Sequence, residues 1–175
     1  REAVAIALNM GYMFSSERFK TALYEFGPLH SNNDKAEIDK TALLANVLNH
    51  RGLTFGYTTG VMGLGGVTTF GMHEVCYLEH YADDKSITET IFHEFAHCVG
   101  YGHAGNMTYE QTGPGWITLC NNVYGALSLD KELPVYSRRF LHTRWSRNRY
   151  FDDIYVASKH IIEDPELDAL DGGLS

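Results

Sequence analysis

Residues 93 to 103 read His93-Glu94-Phe95-Ala96-His97-Cys98-Val99-Gly100-Tyr101-Gly102-His103, and each fixed letter of this HExxHxxGxxH pattern has a mechanical duty. Residues four apart share a helix face, so His93 and His97 can present two imidazoles to one metal ion. Glu94 stands about 100° round the helix from His93, where a carboxylate reaches a metal-bound water without ligating. Gly100 can adopt φ > 0, which ends the helix and turns the chain back. His103 then arrives as a third ligand from outside the helix. Three neutral nitrogens leave the fourth tetrahedral position open, as in catalytic rather than structural zinc sites. The bland alternative is a buried helix whose histidines are merely hydrogen-bonded, and five fixed letters make coincidence far rarer than a bare HExxH would.

The flanks agree with a helix here. Ser86-Ile87-Thr88-Glu89 is a capping box placed to start it at about Ile87. Asp83 and Asp84 add negative charge near its positive end. Ile91, Phe95, Cys98 and Val99 fall opposite the ligands, so the helix buries its back while the histidines face a cleft. The spacing predicts a helix from about Ile87 to Val99.

The eleven residues resemble the zinc signature of the metzincin clan of metallopeptidases, matching it at His93, Glu94, His97, Gly100 and His103. That clan carries a methionine in a tight turn beneath the metal. Met107, in Asn106-Met107-Thr108-Tyr109, is the only methionine after the motif; its alternative role is a core filler. Met-x-Tyr is similar to the turn of astacins and serralysins, which implies that Tyr109 lies near the zinc and stabilises the reacting oxyanion; a packing role is the alternative. Two departures leave the family within the clan open. Only Ala104, Gly105 and Asn106 separate His103 from Met107, and the residue after the third histidine is Ala104. Reversal over so short a connection would use Gly105 and Asn106, which tolerate φ > 0.

At 175 residues and 19.7 kDa the chain fits one domain with a proper core. The expected division is an N-terminal subdomain over about 1–103 and a C-terminal one over 104–175. Apolar content of 44% and charged content of 21% are those of a globular protein rather than a disordered one. A net charge of −8 argues against nucleic acid as the main partner, and no run approaches the ~18 apolar residues of a membrane span. The apolar start, Ala3 to Met13, lacks the basic region and cleavage site of a signal peptide. Arg1 reads as the start of a trimmed or processed chain; a secreted, periplasmic or cell-surface location is implied only by the resemblance. Cys76, Cys98 and Cys120 are an odd number, open to one disulfide plus a free thiol or to three buried thiols. Cys98 points away from the ligand face and is not read as a ligand.

The fold class expected is α+β: a small twisted mixed sheet, a backing helix and the zinc helix, then a mostly helical C-terminal subdomain. Ser15 or Ser16 opens a short helix through Tyr24, and Asp34 with Glu37 signals a longer one to about His50, stopped by Gly52. Ile38, Ala42, Leu44, Val47 and Leu48 form its apolar stripe, and the resemblance makes it the helix behind the sheet. Leu53 to Thr58 alternates as a strand, Gly60 to Gly66 reads as a loop or irregular edge, and Val67 to Phe70 and Glu74 to His80 read as further strands. By the resemblance, Gly65 to Phe70 is the edge that takes substrate by strand addition; an ordinary glycine-rich hairpin is the alternative. Thr112 to Trp116 reads as a loop before a helix from Ile117 to Leu127, with Pro114 and Trp116 as implied pocket walls. Arg138, Arg139, Arg144, Arg147 and Arg149 form a solvated face or an anionic exosite, and the acidic tail from Asp164 to Ser175 a frayed end. The remaining histidines have no ligand spacing.

The activity these readings imply is zinc-dependent peptide hydrolysis, with Zn²⁺ on His93, His97 and His103 activating water and Glu94 as general base. Peptide or protein is the implied substrate. A catalytically idle zinc-binding interaction or surface module is the second reading, and a hydrolase of non-peptide amides a third.

Overall fold

Ser16 divides the N-terminal helical stretch in two. Its backbone is extended and its hydroxyl oxygen accepts the Phe19 amide proton at 3.1 Å while the hydroxyl donates to the Met13 carbonyl at 2.6 Å, so one serine closes α1 (Glu2–Ser15) and caps α2 (Glu17–Glu25). The computed structural model describes residues 2–32, 36–50, 54–58, 61, 63–66, 69–73, 85–130 and 132–134. Among them the remaining elements are α3 (Lys40–Asn49), β1 (Thr54–Thr58), β2 (Gly63–Gly66), β3 (Thr69–His73), α4 (Lys85–Cys98) and α5 (Trp116–Leu129). The class is α+β.

The strands form one mixed sheet in the order β1-β3-β2, with β1 parallel and β2 antiparallel to β3. Of the two forms expected for Gly60 to Gly66, a loop or an irregular edge, Gly63–Gly66 takes the edge, as a strand paired through Gly63 with Met72 and Gly65 with Phe70. The proposed edge over Gly65 to Phe70 is split: Gly65 and Gly66 belong to the edge, while Thr69 and Phe70 sit in the central strand. Strand propensity alone argues against four residues reading Gly-Leu-Gly-Gly. Packing overrides it, because this strand lies so close to α4 that side chains facing the helix would not fit. The strand expected over Glu74 to His80 lies outside the described residues, as do Leu53, Val67 and Thr68, Asp34 and Gly52, Cys76, the arginine cluster and the acidic tail.

The helix expected from Asp34 begins later. Asp39 is the cap, its carboxylate accepting from the Thr41 and Ala42 amides at 2.9 and 3.1 Å. The preceding residues are committed elsewhere: His30 bridges Glu37, and the Ile38 amide donates to Leu29 at 2.7 Å. On α3 the buried residues are Leu43 and Val47, whereas Ala42, placed in the expected stripe, is exposed. This helix packs on α1 and α2, and the helix against the sheet is α4 itself, which corrects the backing role given to residues 34–50.

The core is aromatic at its centre. Phe14 of α1 stacks on Phe95 of α4 at 5.1 Å and on Trp116 of α5 at 5.7 Å, and meets Phe19 and Phe92 edge-on. Such contacts add to the apolar burial itself. The Trp116 indole donates to the Phe92 carbonyl at 3.2 Å, so Trp116 is a core residue and not a pocket wall, while Pro114 is exposed. Because Phe14, Phe92 and Trp116 touch, the core is continuous across the expected division at residue 103. Asn9 donates to the Tyr124 hydroxyl at 3.0 Å, a buried polar pair that joins α1 to α5. No helix among the described residues is long and apolar enough to cross a membrane.

Candidate metal centre

Helix α4 begins at Lys85, two residues before the expected start, and the side chain of Ser86 and both Asp83 and Asp84 lie outside the described residues. Its far end forms as the sequence requires. Gly100 has φ 102°, its amide donates to His97 at 3.0 Å, and the Tyr101 amide donates to Ala96 at 3.0 Å. These two bonds are the Schellman pattern, in which a left-handed residue satisfies the last carbonyls of a helix. The turn sends the chain back so that His103 meets the two helical histidines.

Nε2 of His97 lies 3.2 Å from Nε2 of His93 and 3.1 Å from Nε2 of His103. Two ligands on a tetrahedral zinc with bonds of about 2.0–2.1 Å stand about 3.3 Å apart, so the spacing matches a shared ion. The tautomers support the same fit. Nδ1 of His93 faces the Thr108 carbonyl at 3.0 Å, and Nδ1 of His97 faces the Tyr101 carbonyl at 2.7 Å. A carbonyl only accepts, so each Nδ1 carries the proton and each Nε2 presents a lone pair. Lone pairs so close repel unless a cation stands between them, and carbonyl-bound imidazoles are the usual supports of metal ligands. The donor set therefore fits zinc. It is also the one group of metal-ligating side chains found among the described residues.

Burial and the neighbouring imidazoles hold His93 below its ordinary pKa against the opposing Thr108 bond, which keeps it in the neutral, ligating form. Glu94 is 7% exposed, with Oε1 4.0 Å from His93 Nε2. Burial pushes its carboxyl above the usual carboxylate range, with His97 opposing.

The chain after His103 reverses at once. Gly105 has φ 78° and passes so close to the His30 carbonyl that no Cβ fits. Met107 is fully buried within the core cluster. Tyr109 is half-exposed, and its ring centroid lies 4.8 Å from those of both His93 and His103. The structure thus brings Tyr109 to the histidines and turns Met107 inward.

Several supporting residues escaped the sequence reading. Asn106, 1% exposed, accepts from the His30 amide at 2.6 Å and donates to the Pro28 and Pro114 carbonyls at 3.1 Å each. Thr108 donates its hydroxyl to Gly102 at 2.8 Å while its carbonyl receives His93. Glu110 accepts from the Gly115 and Thr118 amides at 3.3 Å and from the Thr118 hydroxyl, capping α5 where Gly115 has no side chain to do so. Gln111 donates to the His103 carbonyl at 3.0 Å. Asparagine and threonine beside a glycine hint only at a turn; the partners of Asn106 at Pro28 and His30 are distant in sequence and leave no local signal. Cys98, as expected, faces away from the histidines, its thiol donating to the Thr69 carbonyl at 3.3 Å. Cys98 and Cys120 are both buried and free.

No protein family, curated protein or solved structure matches this chain.

Proposed function

We propose that this chain is a zinc-dependent peptidase of metzincin type, in which His93, His97 and His103 hold the metal. The observation that carries the reading is the convergence of three imidazole Nε2 atoms beside the buried carboxylate of Glu94. Zinc, when bound, supplies the Lewis acidity that polarises a carbonyl and lowers the pKa of water towards ~7.

The protein's own groups do the rest. Glu94, held in a desolvated position, takes a proton from the attacking water and returns it to the leaving amine. Its raised proton affinity suits both duties, since a base near the working pH also makes a competent acid. Tyr109, whose ring lies beside those of His93 and His103, donates its phenol hydrogen to the carbonyl oxygen as charge develops there. Met107 has no chemical step; it is buried in the core cluster. The outer edge of β2 takes the peptide substrate as an added strand. Its glycines bring that edge against α4, next to Glu94.

The test combines metal analysis with hydrolysis of a broad peptide library, with any pro-segment removed. Wild type holds about one zinc per chain, and His103→Ala weakens that binding. Glu94→Gln keeps zinc and fold but lowers kcat by at least ~10²-fold. A zinc-loaded wild type that cleaves nothing refutes the peptidase and leaves an idle zinc-binding module.

A further inference from the structure

Gly63 and Gly65 are two apart on β2 and so face one side of the sheet. That side is α4. A Cβ at Gly65 would run into the Glu94 main-chain carbonyl and stand 3.0 Å from the His97 Cβ. A Cβ at Gly63 would lie 2.6 Å from Cγ, 2.7 Å from Oε1 and 2.9 Å from Cδ of the Glu94 side chain. At Gly66 it would meet nothing within 4 Å. Leu64, between the two close glycines, is 55% exposed. The glycine run therefore has three different physical meanings in successive positions.

The strand cannot retreat freely from the helix. It is laddered to β3 through Gly63–Met72 and Gly65–Phe70, where Phe70 is fully buried. In turn β3 is tied to α4 by the Cys98 thiol on the Thr69 carbonyl. An added methyl at 63 thus meets a fixed strand on one side and a flexible glutamate on the other, so the glutamate yields.

We propose that Gly63 is a positioning residue for Glu94: the bare backbone of β2 at this point is the wall that sets where the carboxylate stands. Its catalytic meaning rests on the peptidase reading above, while the contact itself does not. Gly63 has no left-handed φ, so what this glycine supplies is space beside one carboxylate rather than an unusual backbone conformation.

The test is a double-mutant cycle on the full chain, read first as thermal midpoints of the metal-free protein. Gly63→Ala lowers the midpoint by several degrees. In the Glu94→Ala background, which removes Cγ, Cδ and Oε1, the same change is neutral or raises it, as alanine for a strand glycine does where space allows. Gly66→Ala shows no loss in either background. Equal losses from Gly63→Ala in both backgrounds overturn the proposal. So does failure of the Gly63→Ala/Glu94→Ala protein to fold, because the clash would then lie elsewhere; folding of the double variant alone supports it.

The second readout is zinc content and kinetics. Gly63→Ala keeps one zinc per chain and loses up to ~10²-fold in kcat, the scale of a misplaced reacting group, with KM little changed. A loss confined to KM overturns the positioning role. A wild type without hydrolysis refutes the peptidase instead, and the midpoint cycle still decides whether Gly63 places Glu94.

Discussion

Replacing Asn106 by alanine should loosen the whole turn beneath the histidines. The side chain is buried and makes three bonds, to the His30 amide and the Pro28 and Pro114 carbonyls. Alanine removes all three partners at once and leaves the His30 amide, in a buried setting, without its acceptor. An orphaned buried donor costs about 1–3 kcal/mol, and each lost partner at the half-buried carbonyls about 0.5–1.5 kcal/mol. The sum is about 2–6 kcal/mol, centred near 4. At roughly 2–4 °C per kcal/mol for a domain of this size, the midpoint should fall by about 8–16 °C. The backbone of Asn106 also bonds to His30 and Trp116, so the loosened segment is the one joining His103 to α5. Zinc affinity should fall with it, although no ligand is touched. Circular dichroism melts with and without zinc, and titration against a competing chelator, measure both effects. A metal-free midpoint within about 2 °C of wild type would refute the tether, because even the low end of the sum, about 2 kcal/mol, should shift it by about 4 °C.

Thr108→Val keeps the side chain's shape but removes the donor to Gly102, next to the third ligand; zinc affinity should fall about 10–100-fold, as when outer supports of metal ligands are lost. Thr108→Ser should restore it, and an unchanged affinity in the valine variant would show that His103 needs no such anchor. Burial lifts the Cys98 thiol to about 12 and raises Cys120 well above its ordinary value, so neither should react with iodoacetamide at pH 8 until the protein is denatured. Peptide mapping reads this directly, and native labelling of either would contradict their burial. In the metal-free protein Glu94 keeps its proton to higher pH folded than unfolded. Its contribution is therefore fully present below the ordinary carboxylate pKa and lost as pH rises through the raised one. Glu94→Gln should flatten the fall in midpoint across that interval, and parallel midpoint–pH curves for the two proteins would refute the desolvation.

The α4 region was legible from sequence because its causes are local. A helix repeat puts His93 and His97 on one face and Ile91, Phe95 and Cys98 on the other, and all three apolar residues are buried. Gly100 ends the helix by a bond pattern confined to six residues, and Gly105 supplies the second reversal. Ser16 likewise caps its helix within three positions. The cap expected at Asp34 is not the one used: the pairing of His30 with Glu37 holds the preceding residues outside the helix, and Asp39 caps it.

What only the tertiary structure decided were contacts between segments far apart in the chain. Gly63–Gly66 has poor strand propensity, yet it is an edge strand because its missing side chains admit α4. Trp116 resembled a cleft residue until Phe14, more than a hundred positions earlier, stacked upon it. Asn106 reads as a turn residue, and only folding gave it Pro28 and His30 as partners. Periodicity and caps act over a few residues and are written in the order of the chain. Close packing and buried hydrogen bonds depend on which distant surfaces meet, and that is settled by the fold as a whole.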